Sequence, residues 1–344
     1  YLRDSRGWER ASCHDGSRHW VIGLMQFWSV SLLSWLRLFG LIQLALLSQL
    51  AWANDAFFDS LPRTEVAPDL LVVEGRNELF DASNYGAIAN SILIDSARGV
   101  LVIDTGSNTL FGDWLQRLAE RHFNRPVVGV INTHGHPDHW FGNAAFDGVP
   151  KLATRQMIDY SRSAGSDLLN TLYATVGDAM IGTQLAVPDL TIGSTLQWGR
   201  YLFEVISLNG HSHGDAALFD TERGILIAGD LVFNGRSPTT PHADIATWIQ
   251  VLTSLEARAP AVVIPGHGTV DRTTASIRET MRYLQWLDQY LRDAAQDAVD
   301  PAQLLAQGVP REWRHLAVVD TEFERSVIHL YSAYEAEYTK EVPR

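Results

Sequence analysis

Five strand-like runs in this chain each lead into a polar turn carrying histidine or aspartate, and that repetition constrains the fold more than any other feature. Val100-Leu101-Val102-Ile103 leads to Asp104-Thr105-Gly106. Val127 to Asn132 leads to Thr133-His134-Gly135-His136-Pro137-Asp138-His139. Tyr201 to Leu208 leads to Gly210-His211, Ile225 to Ala228 to Gly229-Asp230, and Ala261 to Ile264 to Pro265-Gly266-His267-Gly268. Short apolar runs bounded by turns read as buried strands, and ligand sites in α/β proteins collect at strand ends. Two packed sheets with helices outside would bring all these turns to one edge.

The rest of the chain fits that plan. Residues 70–74 and 91–95 read as further short strands. Residues 109–123 place Leu110, Trp114, Leu115 and Leu118 on one helical face, and Pro126 ends that element. A helix is expected over His139 to Ala145. Residues 155–185 read as irregular helix broken at Gly165, Gly177 and Gly182, and are the expected insertion or lid. From Leu190 the pattern changes to short strands at 191–192, 196–198, 201–208, 216–219 and 225–228, punctuated by Pro-Asp and Gly-Arg pairs. Helices are expected over 243–257 and 272–298 and in the tail to 344.

The N-terminal segment reads differently. The first methionine is Met25. Residues 1–24 are polar and irregular, and are expected to come from an upstream start or an added segment. From Met25 a thin n-region ends at Arg37, an apolar run extends from Leu38 to Leu50, and Ala51-Trp52-Ala53 matches a small-x-small cleavage site. That run is about 13 residues, short of the ~20 that span a bilayer. The expectation is a leader over 1–53, cleaved near Ala53, export to the periplasm, no stable membrane insertion after cleavage, and one domain over 54–344 with C-terminal helices. Residues 54–344 carry 22 basic and 37 acidic side chains, a formal charge of −15. Such a balance weakens adhesion to anionic surfaces. With no basic stripe along any expected element, it also argues against nucleic-acid binding. The one cysteine, Cys13, lies in the leader, so disulfides and thiolate metal ligands are excluded from 54–344.

His134, His136, Asp138, His139, His211, Asp230 and His267 together supply seven ligands for a metal pair. Neutral imidazole suits zinc and related ions, and carboxylate can complete or bridge their coordination. Water on such an ion ionises near pH 7 rather than at about 15.7. A closed structural site needs only four ligands, so seven for two ions leave room for water. Blander readings stand beside this one. Asp138 could act as a helix N-cap. Trp140 and Phe141 read as core before substrate wall. His213 sits beside the motif position, and His242 either lines the pocket or begins the following helix. His14, His19, His122, His315 and His329 read as ordinary surface or hydrogen-bonded histidines.

At His134-x-His136-x-Asp138-His139, Gly210-His211-Ser212-x-Gly214-Asp215, Gly229-Asp230 and Pro265-Gly266-His267-Gly268, with Ile103-Asp104-Thr105-Gly106 upstream, the chain resembles the metallo-β-lactamase superfamily. The set occurs in family order over residues 100–268. The resemblance implies an α/β fold, an αββα sandwich with the metal site at one edge of the two packed sheets. It implies that His134, His136 and His211 hold one metal, that Asp138, His139 and His267 hold the other, and that Asp230 bridges them. Asp104 would orient a ligand by hydrogen bond. The implied cofactor is a pair of zinc ions, with iron or manganese as substitutes. The implied reaction is attack of metal-bridging hydroxide on the carbonyl of a small-molecule thioester, ester, lactone or amide.

Within that family the missing cysteine rules out the β-lactamase groups with a thiolate ligand. The group using only histidine and aspartate generally lacks a bridging carboxylate, which Asp230 would supply. Di-iron oxygen reductases usually have glutamate where His136 stands. Glyoxalase II is usually cytosolic, and its C-terminal basic glutathione contacts are not identifiable here. The export pattern, residues 136–143 and the Arg236–His242 stretch look like exported zinc metallohydrolases associated with pyrroloquinoline-quinone-dependent dehydrogenases. Two alternatives remain open: a β-lactamase with histidine and aspartate ligands, and a non-catalytic carrier of a quinone cofactor.

Overall fold

The computed structural model describes residues 35–37, 39 and 54–340. Apart from residues 35–37 and 39, the expected leader over 1–53, Cys13 included, lies outside them. No helix among the described residues is long and apolar enough to cross a membrane.

Strands β1 (Arg63–Ala67), β2 (Leu70–Val73), β3 (Ser91–Asp95), β4 (Val100–Ile103), β5 (Val127–Ile131), β6 (Lys151–Ala153) and β7 (Leu190–Thr191) form a seven-stranded sheet in sequence order. Strands β8 (Thr195–Trp198), β9 (Tyr201–Leu208), β10 (Asp215–Asp220), β11 (Ile225–Phe233) and β12 (Val262–His267) form the second sheet, ordered β12-β11-β10-β9-β8. The first sheet is antiparallel from β1 to β4 and parallel from β4 to β7.

Side-chain alternation divides the core into layers. Leu101 and Ile103 of β4, Ile92 and Ile94 of β3, and Leu70 and Val72 of β2 face Phe203, Leu218, Ile227 and Ile264 of the second sheet. Val100, Val102, Leu93 and Leu71 point the other way, onto α1 (Thr109–Phe123), which buries Phe111, Trp114, Leu115 and Leu118. The outer face of the second sheet, with Phe219, Leu226 and Ala228, packs under α4 (Ile245–Ala257), α5 (Ala275–Gln296) and α7 (Val319–Lys340). The central strands β2, β4, β10 and β11 are buried throughout and read as continuous apolar runs, whereas β1, β8 and β9 are partly exposed. Helix, sheet, sheet, helix is the expected αββα sandwich.

Several expectations needed correction. β1 and β6 were not anticipated: β1 is the half-exposed edge RTEVA, and β6 has only three residues. The helix expected over 139–145 is a single turn, α2 (Pro137–Trp140), followed by 3-10 turns to Ala145. Residues 155–176 form one unbroken helix, α3 (Arg155–Val176), running through Gly165. A Cβ there would crowd Trp140 and Leu185, at 3.2 and 3.3 Å. The glycine therefore lets the helix close onto its neighbours at a propensity cost of about 1 kcal/mol. Gly177 does stop α3, at φ 68° with its N–H bonded to Tyr173 O. The expected helices of the C-terminal third become α4, α5, the short α6 (Pro301–Gln307) and α7.

Candidate metal centre

The parallel pair β4–β5 forms the floor of the site. Asp104 follows β4 in the left-handed region, φ 59°, a conformation Asp tolerates better than most residues. Its carboxylate is buried and accepts three bonds: Thr133 N–H at 2.8 Å, Thr133 Oγ1 at 2.7 Å and His139 Nδ1 at 2.8 Å. Asp104 thus ties the end of β5 to His139 and leaves the Nε2 of His139 to face the site. An amide pair locks the intervening turn. Asn132 Nδ2 donates to His139 O, and Asn143 Nδ2 to Asn132 Oδ1, each at 2.8 Å. Trp140 Nε1 donates to Gly135 O at 3.0 Å. Trp140 and Phe141 are fully buried core. The N-cap of α2 is His136, not Asp138, so capping does not explain Asp138.

The second sheet supplies the other side. Asp215, at the start of β10, accepts from Gly210 N and Ser212 N, which folds the preceding loop back and sets His211. Burial, against those hydrogen bonds, pushes the Asp215 carboxyl up to about 7. Asp230 and His267 were expected just after strands, but both lie within them. β11 runs on to Phe233 and β12 to His267, with register shifts around Gly229. Such irregularities re-aim a side chain beside a site. Gly229 has φ 52°, and a Cβ on it would meet the Thr133 side chain at 2.8 Å. His267 Nδ1 donates to Ile88 O at 2.8 Å, and Phe233 stacks on its ring with centroids 5.4 Å apart.

All seven expected residues converge. The donor atoms of His134, His136, His211 and Asp230 lie within 4.8 Å of one another, as do those of Asp138, His139 and His267. Asp230 sits between the two groups. Its oxygens are 3.2 Å from His139 Nε2, 3.3 Å from His267 Nε2, 3.4 Å from His211 Nε2 and 3.7 Å from His134 Nε2. Asp138 is 3.3 Å from His267 Nε2 and 3.6 Å from His139 Nε2. His136 turns Nδ1 toward the group, 2.8 Å from His211 Nε2. His139 Nε2 and Asp230 Oδ1 are buried without a hydrogen-bond partner. Buried orphans of this kind need an explanation, and an ion is one. The donor set, five imidazoles and two carboxylates, suits divalent transition metals.

The electrostatics divide the imidazoles into two kinds. Burial holds His134 and His136 well below the usual histidine range and His211 at about 4, so these three are neutral at pH 7. Burial also opposes charge on His139 and His267, but Asp230 and its acidic neighbours outweigh it and raise both. Burial acts against Asp138 and Asp230 too, and the facing imidazoles nevertheless hold both carboxylates below their ordinary range. In the metal-free protein, His139 and His267 therefore stabilise the fold when protonated. That contribution is full below about 6.5, the unfolded histidine value, and is lost as pH rises through their raised folded values. A metal needs the neutral rings and must displace those protons. Binding of a divalent metal near neutral pH is expected to release protons from His139 and His267, and affinity should fall as the solution is acidified. Calorimetry in buffers of differing ionisation enthalpy measures the release; none at pH 7 would contradict this assignment.

A cavity of about 240 Å³ opens onto the centre. His136, Asp138, Asp230 and His267 form one wall, and Leu79, Phe80, Leu168 and Leu172 form apolar walls. The segment expected as an insertion or lid thus lines the cavity through Leu168, Thr171, Leu172 and Thr175 of α3. His242 lines the cavity, and its Nδ1 lies 2.9 Å from His136 Nε2. Its alternative role as a helix start fails, because α4 is capped by Asp244. His213 is exposed and does not line the cavity. Sequence reasoning missed Arg236 and Arg325, which also line it. Arg236 lay in a stretch already singled out; Arg325 had no local signal, being one arginine on an amphipathic helix.

Comparisons with known proteins agree with the geometry. The family model described as "Metallo-beta-lactamase superfamily" matches residues 85–267. A probable metallo-hydrolase of Streptococcus pyogenes is 26% identical over 201 residues, covering 56% of this chain and 84% of the relative. The hydroxyacylglutathione hydrolase GloC of Haemophilus influenzae is 24% identical over 202 residues, 52% of this chain and 84% of its own. Among solved structures, a beta-lactamase domain protein from Burkholderia ambifaria superposes with a TM-score of 0.57 at 21% identity, covering 81% of this chain and 92% of that one. A metallo-beta-lactamase from Pontibacter korlensis gives 0.54 at 19% identity, covering 66% and 99%. At those identities the structures speak for the fold alone. With the family match spanning more than half of the sequence, this chain belongs to the metallo-beta-lactamase superfamily.

Proposed function

We propose that the chain is a metal-dependent hydrolase that cleaves a carbonyl compound (a thioester, ester, lactone or amide) with two divalent cations, zinc for preference. The observation that carries this reading is Asp230, whose carboxylate faces imidazoles of both donor groups at once. His134, His136 and His211 would hold one ion, Asp138, His139 and His267 the other, and Asp230 both. Such a pair supplies Lewis acidity and a nucleophile available at neutral pH. The protein's own part is orientation. Asp104 fixes the ring of His139, Ile88 O holds the Nδ1 proton of His267, and His242 engages Nε2 of His136, as outer partners of ligating histidines do. Export to the periplasm, supported by the pattern from Met25 to Ala53, and a link to quinoprotein dehydrogenases, supported by residues 136–143 and 236–242, belong to the same proposal.

The test is elemental analysis of purified protein together with turnover of a panel of thioesters, esters, lactones, amides and the β-lactam nitrocefin. Expected are two metal ions per chain and turnover of at least one non-β-lactam class, abolished by chelation. Two bound ions with no turnover across the panel would overturn it, and hydrolysis of nitrocefin alone would favour a β-lactamase.

A further inference from the structure

The lining of the cavity includes an unusual charge arrangement. Glu322 is fully buried and serves two guanidinium groups. It accepts from Arg325 Nη1 at 2.9 and 3.2 Å and stands 3.9 Å from Arg236 Nη2. Two cations share one carboxylate, in a chain with 40 acidic and 27 basic residues. Asp138 and Asp230 do not balance the excess once they hold metal. Arg236 is itself buried, donates to Glu78 O at 2.7 Å, and its Nε is without a hydrogen-bond partner. Arg325 is different: its side chain is 43% exposed, and both its bonds to Glu322 use Nη1, so the Nε–Nη2 edge is not committed to that carboxylate. Both arginines line the same cavity as His136, Asp138, Asp230 and His267.

We propose that the substrate is a small amphiphilic acyl compound whose anionic group is bound by Arg325, on a wall that Arg236 keeps net positive against the single carboxylate of Glu322. The inference rests on the hydrolase reading and narrows it. A guanidinium edge matches a carboxylate in plane and in charge. Leu79, Phe80, Leu168 and Leu172 take the apolar body in a cavity of about 240 Å³. Arg236 lies inside the segment that matches the family, residues 85–267, but Arg325 and Glu322 lie beyond it, on the chain's own C-terminal helix.

The experiment compares mono-4-nitrophenyl adipate with 4-nitrophenyl hexanoate, matched in length and differing in one carboxylate, on the metal-loaded full chain. The adipate ester is expected to be preferred, and Arg325→Gln to lower that preference, the ratio of the two kcat/KM values, about tenfold. Arg325→Lys should restore part of it, and a thermal melt checks that both variants fold. A ratio unchanged in Arg325→Gln overturns the proposal. If neither ester turns over, binding decides independently of the hydrolase reading. 4-Phenylbutyrate should bind the wild type by calorimetry and weaken about tenfold in Arg325→Gln. Binding that is indifferent to Arg325 but lost on chelation would place the anion on the metals and overturn it.

Discussion

Replacing Asp230 by asparagine is expected to cost roughly a thousandfold in hydrolytic rate, the upper range for removing one preorganised electrostatic contact, and to lower metal content. Asparagine has the same shape, so the packing of β11 against β12 should survive. What changes is charge and hydrogen-bond polarity. The carboxylate oxygens of Asp230 face His134, His139, His211 and His267 at 3.2 to 3.7 Å. An amide would lose the negative charge that both donor groups share, and would turn an N–H₂ toward one of them. Asp138 would then be the only carboxylate left for two divalent cations. The metal-free variant shifts as well. Asp230 is held well below the usual carboxylate range, so its charge stabilises the fold above about 3.9, the unfolded value, and that contribution vanishes as pH falls through the folded value. In the asparagine variant it is absent at every pH, and His139 and His267 lose the partner that keeps them protonated. Elemental analysis and kcat/KM on the best panel substrate are the measurements. Two ions per chain with activity within tenfold of wild type would remove Asp230 from the role proposed for it.

The sequence was most legible where local signals coincided. Val100–Ile103, Val127–Ile131 and Tyr201–Leu208 are dense apolar or alternating runs closed by turns, and they form strands with nearly the expected bounds. Thr109–Phe123 combines a periodic apolar face with an asparagine N-cap and matches its expected range. The seven converging His and Asp residues were readable because ligand chemistry restricts residue type and the turns restrict position. Features set by tertiary neighbours were not readable. β6 exists because β5 and β7 offer parallel partners to three residues. Gly165 reads as a helix breaker until Trp140 and Leu185 are seen against it. Arg325 lies 58 residues beyond His267, and nothing around it in sequence indicates that α7 folds back to the cavity.

Substituting alanine for Gly266 is expected to damage both stability and the metal site, for a reason that is steric and not conformational. Gly266 is outside the positive-φ region, so its backbone suits any residue. A Cβ there would run into Asp230 Oδ1, and would stand 2.7 Å from the carbonyl carbon of Gly229 and 2.8 Å from Asp230 N. Two of those three atoms are backbone and cannot rotate away. Nor can Gly266 retreat. Its carbonyl accepts from Asn90 N at 2.8 Å, and Asn90 Nδ2 clamps Pro265 O and Gly268 O on either side, each at 2.8 Å. Relief must come from moving Asp230 or parting β11 from β12. Overpacking of this severity costs about 3 kcal/mol, and the metal-loaded protein loses more, because weaker metal binding also removes ligand stabilisation. Gly148→Ala is the matched control. Gly148 has φ 68° and open space around its missing Cβ, so alanine there bears only backbone strain, about 1 kcal/mol, and should keep its metal. Urea unfolding of both variants, with and without chelator, separates the two causes. A Gly266→Ala protein within about 1 kcal/mol of wild type and with full metal content would mean that Asp230 is not held where the β11–β12 irregularity places it.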